Sequence, residues 1–390
     1  MFKRIIFIVF CYLCMGQISL AATFTERQTP GDNDTITVDS ADTYYFNGNM
    51  VFDIQNHSNV TLTNNGNITA HDDPSTPTSV IEPCGSGCDN SVNAGGSSNF
   101  TLTNNGTIWA GHGRTVNLQN ATGDITVTNN VGAKIAAGER LGGLDVLDLD
   151  GAGSSGDTIT IINHGAIENV ARNWDVIGIG SMTSGATVNI TNTGTITQGT
   201  NTFGSNNSYS MTIEASNSTD VINFDNSGTI STASRAFLLG GTTNFTLTNS
   251  GTIEGDGYGH DGSGNTATAL ASHNFSIVEL GTSGSGATII NSGTISAHQK
   301  NHHAITIGND AANAAHSNAT ITNSGTIAGS TLAGSTVGRA ILIIPASSGT
   351  GTSGTTINVK GEAVFTGGID LGKTTSTIVL DSSISTNITI

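Results

Sequence analysis

The acidic residues of the segment 144–150 are the first candidates for chemistry in this sequence. Asp145, Asp148 and Asp150 lie in one apolar run, and Asp148 and Asp150 have the spacing that places two side chains on the same face of a strand. Paired carboxylates at a suitable separation act as general acid and general base in glycoside hydrolysis. No companion group of Arg, Lys or His is evident in neighbouring parts of the chain. We therefore interpret these acids as a solvated strand edge, with catalysis as the alternative.

Other residues suited to metal binding are scattered. Asp256, His260 and Asp261 lie in a glycine-rich stretch whose oxygens suit calcium, but the stretch matches neither the nonapeptide calcium repeat nor the EF-hand. A plain projecting loop is the favoured interpretation. His302 and His303 are adjacent, so in a strand they point to opposite faces and make poor joint ligands. The sequence thus predicts no catalytic residue, cofactor or metal ion.

Two of the four cysteines, Cys84 and Cys88, lie beyond the first 22 residues and are separated by Gly-Ser-Gly. The glycines allow the two sulfurs to meet, and exported proteins encounter oxidising conditions. We expect a small local disulfide between them. A zinc site is the alternative, with His71 as the nearby candidate ligand in sequence.

The first 22 residues have the features of a secretory signal. Lys3 and Arg4 precede an apolar run, and Ser19-Leu20-Ala21 supplies small residues for cleavage after Ala21 or Ala22. A retained anchor is the alternative, but the apolar run is shorter than the roughly 20 residues needed to span a bilayer. We therefore expect export through the inner membrane to the cell surface or the medium.

The composition favours strands and opposes nucleic-acid binding. The chain has 51 glycines, 11% charged residues and a formal net charge of −17. Ile, Val and Thr are abundant, as in strands, and no basic cluster follows the signal to neutralise phosphates. We expect no nucleic-acid partner.

One phrase recurs through the chain and determines the fold prediction. It is clearest at 60–68, 100–108, 188–196 and 245–253, with variants at 125–135, 159–167, 222–230, 288–295 and 320–327. Apolar residues alternate with Thr, Asn or Ser, which is the period of a strand with one buried face. An Asn-x-Gly turn and a second strand beginning Thr-Ile follow, and a third apolar run often comes later. The repeat averages about 32 residues, but individual intervals vary widely.

These features predict an all-β fold, a right-handed parallel β-helix with three short strands per coil and Asn/Gly turns. We expect a cap and first coil over 23–59 and repeats over 60–390, with variable loops at 70–98, 197–211 and 254–275. Stacked coils lie about 4.8 Å apart, so equivalent asparagines should form a buried, mutually hydrogen-bonded ladder. The ladder residues are Asn64, Asn104, Asn129, Asn163, Asn192, Asn226, Asn249, Asn291 and Asn323. The turn glycines, chosen for their tolerance of left-handed backbone angles, are Gly66, Gly106, Gly165, Gly194, Gly228, Gly251, Gly293 and Gly325.

The phrase Thr-Asn-Ser-Gly-Thr-Ile at 248–253 and 322–327 resembles the passenger repeats of bacterial autotransporters. The segment 361–381 is similar to the late passenger coils of that family. The resemblance covers roughly residues 36 to 390 and is specific for architecture rather than activity. It implies a C-terminal outer-membrane barrel as translocator, whereas the sequence stops at Ile390 in a strand-like run with an open coil. We expect a passenger separated from its barrel, with a complete secreted protein as the alternative.

Two functions remain open at this point. The first is a non-enzymatic surface rod that displays loops for attachment to host or neighbouring cells, or for self-association. The second is a secreted polysaccharide-active β-helix, a lyase or hydrolase, which requires acids and bases converging on one strand face. The sequence favours the first, because long repeats and low charge are evident and a catalytic cluster is not.

Overall fold

The computed structural model describes eighteen segments of the chain, and all structural statements refer to them. They are 21–46, 50–70, 90–111, 113–138, 145–171, 175–180, 185–201, 211–216, 221–232, 235–240, 244–255, 276–281, 286–298, 302–308, 318–331, 338–344, 354–372 and 374–382. The described residues form strands and turns without a helix, and the strands make three long parallel sheets. This confirms the predicted all-β fold, a parallel β-helix with three strands per coil.

The three sheets are named A, B and C. Each coil contributes one strand to each sheet, and along the chain these strands belong to sheets C, A and B in turn. Sheet A contains twelve strands: β1 (Thr23–Phe24), β3 (Thr43–Phe46), β6 (Asn67–Ala70), β9 (Thr107–Ala110), β12 (Lys134–Ala137), β15 (Ala166–Ala171), β18 (Thr195–Asn201), β21 (Thr229–Thr232), β24 (Thr252–Gly255), β27 (Thr294–Ala297), β30 (Thr326–Ala328) and β33 (Val364–Thr366). Sheet B contains eleven: β4 (Met50–Asp53), β7 (Asn90–Asn93), β10 (Val116–Asn117), β13 (Leu147–Asp148), β16 (Ile177–Ile179), β19 (Met211–Ser216), β22 (Arg235–Gly240), β25 (Ser276–Leu280), β28 (His303–Ile307), β31 (Ile341–Ile343) and β34 (Ile369–Asp370). Sheet C contains twelve: β2 (Thr35–Val38), β5 (Thr61–Asn64), β8 (Thr101–Asn104), β11 (Ile125–Asn129), β14 (Thr158–Asn163), β17 (Thr187–Asn192), β20 (Val221–Asn226), β23 (Asn244–Asn249), β26 (Thr288–Asn291), β29 (Thr320–Asn323), β32 (Thr356–Val359) and β35 (Thr377–Leu380).

The core is a column of aliphatic side chains enclosed by the three sheets. In β8 and β29, for example, buried and half-buried residues alternate along the strand. Leu62, Leu102 and Val127 are fully buried and stack through the parallel register. Threonine fills the outward positions because a β-branched side chain suits a pleated surface. The alternation visible in the sequence therefore corresponds directly to the inner and outer faces.

The first coil contributes strands to all three sheets. Strand β1 pairs with β3 at the edge of sheet A, and β2 and β4 begin sheets C and B. Phe24 stacks on Tyr44 with ring centroids 4.2 Å apart, and Tyr44 lies 5.2 Å from Phe52. This aromatic group covers the core at the N-terminal end. At the other end β35 has a single hydrogen-bonded neighbour in the described chain, and Leu380 is 55% exposed.

The nine asparagines that end the phrase are stacked in the interior at the corner between sheets C and A. Each Nδ2 donates to the Oδ1 of the asparagine in the next coil, and the eight distances are 2.7–2.8 Å. Most of these Nδ2 groups also donate to a backbone carbonyl of the next coil, as Asn163 does to Thr195 O at 2.9 Å. All nine side chains are buried. A buried amide without partners is costly, so the column fixes the register of successive coils.

The turn glycines lie beside this column, but the expected reason for them is wrong. None of the eight is among the described residues with positive φ. Instead, a Cβ at Gly251 would lie 2.1 Å from the carbonyl oxygen of Gly228, and the same contact recurs at Gly194 and Gly293. Glycine is required because the backbones of stacked turns approach too closely for a side chain. Left-handed residues occur at the corner between sheets B and C.

Replacing one ladder residue should destabilise the protein strongly. Asn226→Ala leaves the amide oxygen of Asn249 without its donor, and the amide nitrogen of Asn192 keeps only its longer bonds to Gly194 O at 3.4 Å and Thr229 O at 3.5 Å. We expect a loss of roughly 2–4 kcal/mol, because the unpaired buried oxygen costs about 1–3 kcal/mol and the lost hydrogen bond about 1 kcal/mol more. Chemical denaturation measures it. Asn223→Ala on the same strand is the control, since its 3.0 Å bond to Asn189 is only part-buried. Equal effects of the two variants would contradict the ladder's role.

A methyl group at a stacked turn should be tolerated less well than one at an open turn. Gly251→Ala forces two backbones apart, whereas a Cβ at Gly132 meets nothing within 4 Å and encounters only the unfavourable φ of 80°. We expect Gly251→Ala to lower the unfolding midpoint well below that of Gly132→Ala, whose cost is about 1–2 kcal/mol. Thermal unfolding followed by circular dichroism compares them. A larger effect at Gly132 would show that backbone angle, not contact, selects glycine.

Candidate functional site

The outer side of sheet B carries most of the charged contacts of the described residues. An arginine at or just before one strand reaches a carboxylate on the next strand of the sheet. The pairs are Arg27–Asp53, Arg114–Asp148, Arg235–Glu279 and Arg339–Asp370. The parallel register explains the repetition, because Arg114, Arg235 and Arg339 each lie three residues before the position that holds the acid in the next coil, and Arg27 lies two residues before it. Sheet B is therefore the side of the rod on which acidic and basic side chains come together.

The pairs differ in how far they are removed from water. Arg235 Nε lies 2.8 Å from Glu279 Oε2, and these side chains are 13% and 5% exposed. Burial raises the pKa of Glu279, and the charge of Arg235 opposes that rise. Arg339 Nε and Asp370 Oδ2 are 3.8 Å apart with both side chains more than 40% exposed, so solvent screens this pair. The more buried pairs, Arg114–Asp148 and Arg235–Glu279, fix neighbouring coils to each other.

The acids predicted from the sequence lie in the most buried of these clusters. Asp148 is 1% exposed and pairs with Arg114 of the preceding coil. Its Oδ1 accepts a hydrogen bond from the backbone N–H of Asp150 at 2.9 Å, while the Asp150 side chain is exposed. The two carboxylates therefore differ in environment, although their spacing predicted one face. Arg114 also supplies the basic companion that the sequence did not reveal.

Asp145 completes the cluster from the start of the same coil. Its Oδ1 accepts from the backbone N–H of Asp175 at 3.1 Å, and a Cβ at Gly178 would lie 2.1 Å from its Oδ2. Burial, and then the charge of Asp148, raise the pKa of Asp145 to about 8. Asp145 is therefore protonated at neutral pH and lies beside Asp148. Glycine at 178 provides the space for this carboxyl group.

Two neighbouring carboxyl groups, one of them protonated, are the groups that a retaining glycosidase uses as general acid and nucleophile. Asp148, however, is closed to solvent and its oxygens are engaged by Arg114 and the backbone N–H of Asp150. A catalytic carboxylate must reach its substrate within hydrogen-bond distance. The arrangement holds three coils together and leaves Asp148 no free approach for a substrate.

The two histidines lie in a second cluster on sheet B. His302 and His303 are 4% and 6% exposed. His303 Nδ1 accepts a hydrogen bond from the backbone N–H of Arg339 at 2.8 Å. Burial lowers the pKa of both to about 4, helped at His302 by His303 and at His303 by Arg339. Both are neutral at physiological pH and act as packing and hydrogen-bonding groups.

The connections between strands show which side of the rod varies. Sheets C and A are joined by two residues in eight coils, such as Ser250 and Gly251 between β23 and β24. Four residues, 130–133, join β11 to β12. The connections from sheet A to sheet B range from two residues, 233–234, to the long segments 71–89 and 256–275. The predicted loop 70–98 is thus shorter than expected, because it contains strand β7.

Several predicted features lie outside the described residues. They are the signal segment up to residue 20, Cys84, Cys88, His71, Asp256, His260 and Asp261. Within the described segments, no group of three or more His, Cys, Asp or Glu has an arrangement able to hold a metal ion. No helix long and apolar enough to cross a membrane occurs in those segments.

The paired charges of sheet B were missed from the sequence, although a signal exists. If the third strands are aligned by their apolar residues, arginine occupies the first position at 114, 235 and 339. An acid occupies the fourth position of the next coil at 148, 279 and 370. The pattern crosses coil boundaries of variable length, so alignment within one phrase does not show it.

Comparison with known proteins adds no assignment. No protein family, curated protein or solved structure matches the chain.

The titration of Asp145 should make stability fall with rising pH. Its pKa rises from 3.8 in the unfolded chain to about 8 in the fold, so the folded state binds more protons between these values. Stability from this group is complete below about pH 4 and declines towards about pH 8. Asp145→Asn should remove that decline. Thermal unfolding of both proteins across this range, compared as a difference, measures the effect.

The wild type must be compared with Asp145→Asn because the two histidines change stability with pH in the direction opposite to Asp145. Their pKa values fall from 6.5 to about 4, so their contribution to stability increases as pH rises between those values. Above pH 6.5 the contribution of the histidines should be constant, so that only the decline in stability due to Asp145 remains. A wild-type protein whose stability is as flat as that of the variant from pH 6.5 to 8 would contradict the assignment.

Proposed function

We propose that this chain is a non-enzymatic, surface-displayed rod of the autotransporter-passenger type. Its function is to present the variable connections along sheet B to other surfaces, for attachment or aggregation. The observation that carries the proposal is the contrast between corners. The corner between sheets C and A keeps a two-residue turn through most of the rod, whereas the connections into sheet B vary from two residues to twenty.

The scaffold itself does not need the long connections. Strands β21 and β22 are joined by residues 233–234, and β33 and β34 by Gly367 and Gly368. Two residues therefore suffice to turn the chain from sheet A into sheet B. The additional residues at 71–89, 202–210 and 256–275 exceed what closure requires. Segments beyond the needs of a rigid scaffold are where proteins place binding functions.

The resemblance of the phrases at 248–253 and 322–327 to passenger repeats supports the same proposal and adds its route. The route that the resemblance implies is export by the N-terminal signal and passage to the surface through an outer-membrane translocator barrel. Its partners are components of host or neighbouring cells, or further copies of itself. Fold alone does not establish function, so this route requires its own test.

The alternative is a secreted polysaccharide-active enzyme, and one observation favours it. Asp145, Asp148 and Arg114 converge on one side of the rod, as a lyase or hydrolase would require. The closure of Asp148 to solvent argues against it, because the carboxylate already has its partners. Asp148→Asn should therefore destabilise the chain without removing any polysaccharide-cleaving activity.

Shortening one connection should separate display from folding. We expect the chain with residues 256–275 replaced by the two-residue connection Ala-Ser of 233–234 to retain its unfolding midpoint and its strand content. Cells displaying it should lose attachment or aggregation, because the scaffold remains while the presented segment is removed. Sedimentation of cell suspensions and binding to cultured cells measure this, and protease treatment of intact cells verifies exposure.

The matched control shortens one of the longer connections between sheets C and A to the two-residue turn of most other coils. Replacing 130–133 by the two residues of another coil, Ser-Gly, leaves sheet B unchanged and should leave attachment unchanged. If neither the 256–275 deletion nor equivalent deletions at 71–89 and 202–210 alter attachment, the connections are not the binding elements and the proposal fails.

A further inference from the structure

Every non-glycine residue with a positive φ in the described chain is an asparagine. Each is also followed, two positions later, by a serine or threonine. The six motifs are Asn33-Asp34-Thr35, Asn56-His57-Ser58, Asn59-Val60-Thr61, Asn99-Phe100-Thr101, Asn120-Ala121-Thr122 and Asn318-Ala319-Thr320. Asn-x-Ser/Thr without proline at the middle position is the acceptor motif for glycosylation of the asparagine amide. The left-handed corner asparagines and the acceptor motif thus coincide in all six cases.

The second class of asparagine in this protein lacks the motif. The nine ladder asparagines are buried, and position +2 holds glycine in eight of them and Val131 after Asn129. The six corner asparagines are all exposed. Burial, backbone angle and the residue at +2 therefore divide the ladder and corner asparagines in the same way. A hydroxyl at +2 also follows left-handed glycines of the same corner, as in Gly286 and Thr288, so this hydroxyl belongs to the strand pattern and the asparagine completes the acceptor motif.

The geometry at these corners leaves the amide able to react. Asn59 Nδ2 donates to Asn33 Oδ1 at 2.9 Å, and Asn99 Nδ2 donates to Asn59 Oδ1 at 3.0 Å. An amide nitrogen carries two hydrogens, and a glycosylated one keeps the second. These outer hydrogen bonds can therefore persist after modification. The motif is compatible with the stacked coils.

Two of the six asparagines lie between glycines of both adjacent coils. Asn120 lies between Gly96 and Gly151 of the adjacent coils, and these glycines are left-handed as well. Asn318 lies between Gly286 and Gly354 in the same manner. Asn33, Asn59 and Asn99 instead follow one another in neighbouring coils, about 4.8 Å apart. A sugar on one of these three crowds the next.

We propose that Asn120 and Asn318 are glycosylation sites at the corner between sheets B and C. The donor is an activated sugar whose anomeric carbon is bonded to phosphate, either a nucleotide sugar or a lipid-linked one. The Asn Nδ2 forms a bond to that carbon and the carbon–oxygen bond to phosphate breaks. The phosphate-bearing group leaves with the electron pair, and a base of the transferase accepts one amide proton. No oxidant or reductant is needed.

The proposal is independent of what the rod attaches to. Asn120 and Asn318 belong to connections from sheet B to sheet C, whereas 71–89 and 256–275 connect strands of sheet A to strands of sheet B.

Peptide mapping of the full chain recovered from the cells that produce it tests the proposal. Electron-transfer fragmentation should locate hexose or larger additions on the peptides of Asn120 and Asn318. Asn189 and Asn244 provide the matched control, because both are followed by threonine at +2 but lie within strands β17 and β23. They should be unmodified. The absence of sugar at Asn120 and Asn318, or equal occupancy of the two in-strand sites, would overturn the proposal.

Variants at one site separate modification from folding. Asn318→Gly should abolish the addition and keep the unfolding midpoint, because the adjacent coils already have left-handed glycine there. Thr320→Ser should retain the addition, whereas Thr320→Val should remove it. Co-expression of each variant with a soluble asparagine glucosyltransferase and its donor, UDP-glucose, measures acceptor competence directly. Modification of Thr320→Val at the wild-type level would contradict the proposed motif.

Discussion

The stacking distance of parallel strands is the constraint on which this molecule depends. Three sheets hydrogen-bond every coil to the next at about 4.8 Å, so any residue that lies above its equivalent must fit that interval. Asparagine amides fit it, and the ladder repeats a 2.7–2.8 Å bond through nine coils. Stacked turn backbones fit it only when glycine replaces a side chain, as at Gly251. The spacing of about 4.8 Å therefore selects asparagine in the ladder and glycine at the stacked turns.

The same spacing distinguishes the connections whose length is constrained from those whose length can vary. The corner between sheets C and A contains the ladder and has a two-residue turn in eight coils, although the four residues 130–133 leave Asn129 bonded to Asn104 and Asn163 at 2.8 Å. The described parts of the connections into sheet B contain no such column, and insertions there cost little because loop-closure entropy grows slowly with length. The rod is thus nearly constant along one edge and variable along another. This asymmetry, rather than any pocket, is the basis for proposing display.

The charges of sheet B show how a repeat without sequence identity is still regular. Arg114, Arg235 and Arg339 each reach an acid in the following coil, so the pairs bridge hydrogen-bonded neighbours. The more buried pairs, those of Arg114 and Arg235, oppose slippage, because moving one strand would leave a buried charge without a partner. They contribute more to register than to stability, since removing two charges from water costs nearly what their attraction returns. A cluster that resembles catalytic machinery in composition can therefore be structural.

The sequence by itself determined the fold, the number of strands per coil and the identity of the ladder asparagines. It could do so because alternation and Asn-x-Gly turns are local signals repeated at every coil. Only the tertiary structure decided that Gly251 and its equivalents avoid a backbone contact rather than adopt left-handed angles. It alone brought Arg114 to Asp148, raised the pKa of Asp145 and divided exposed corner asparagines from buried ones. Those facts arise between coils separated by loops of unequal length, where distance along the chain carries no information about distance in space.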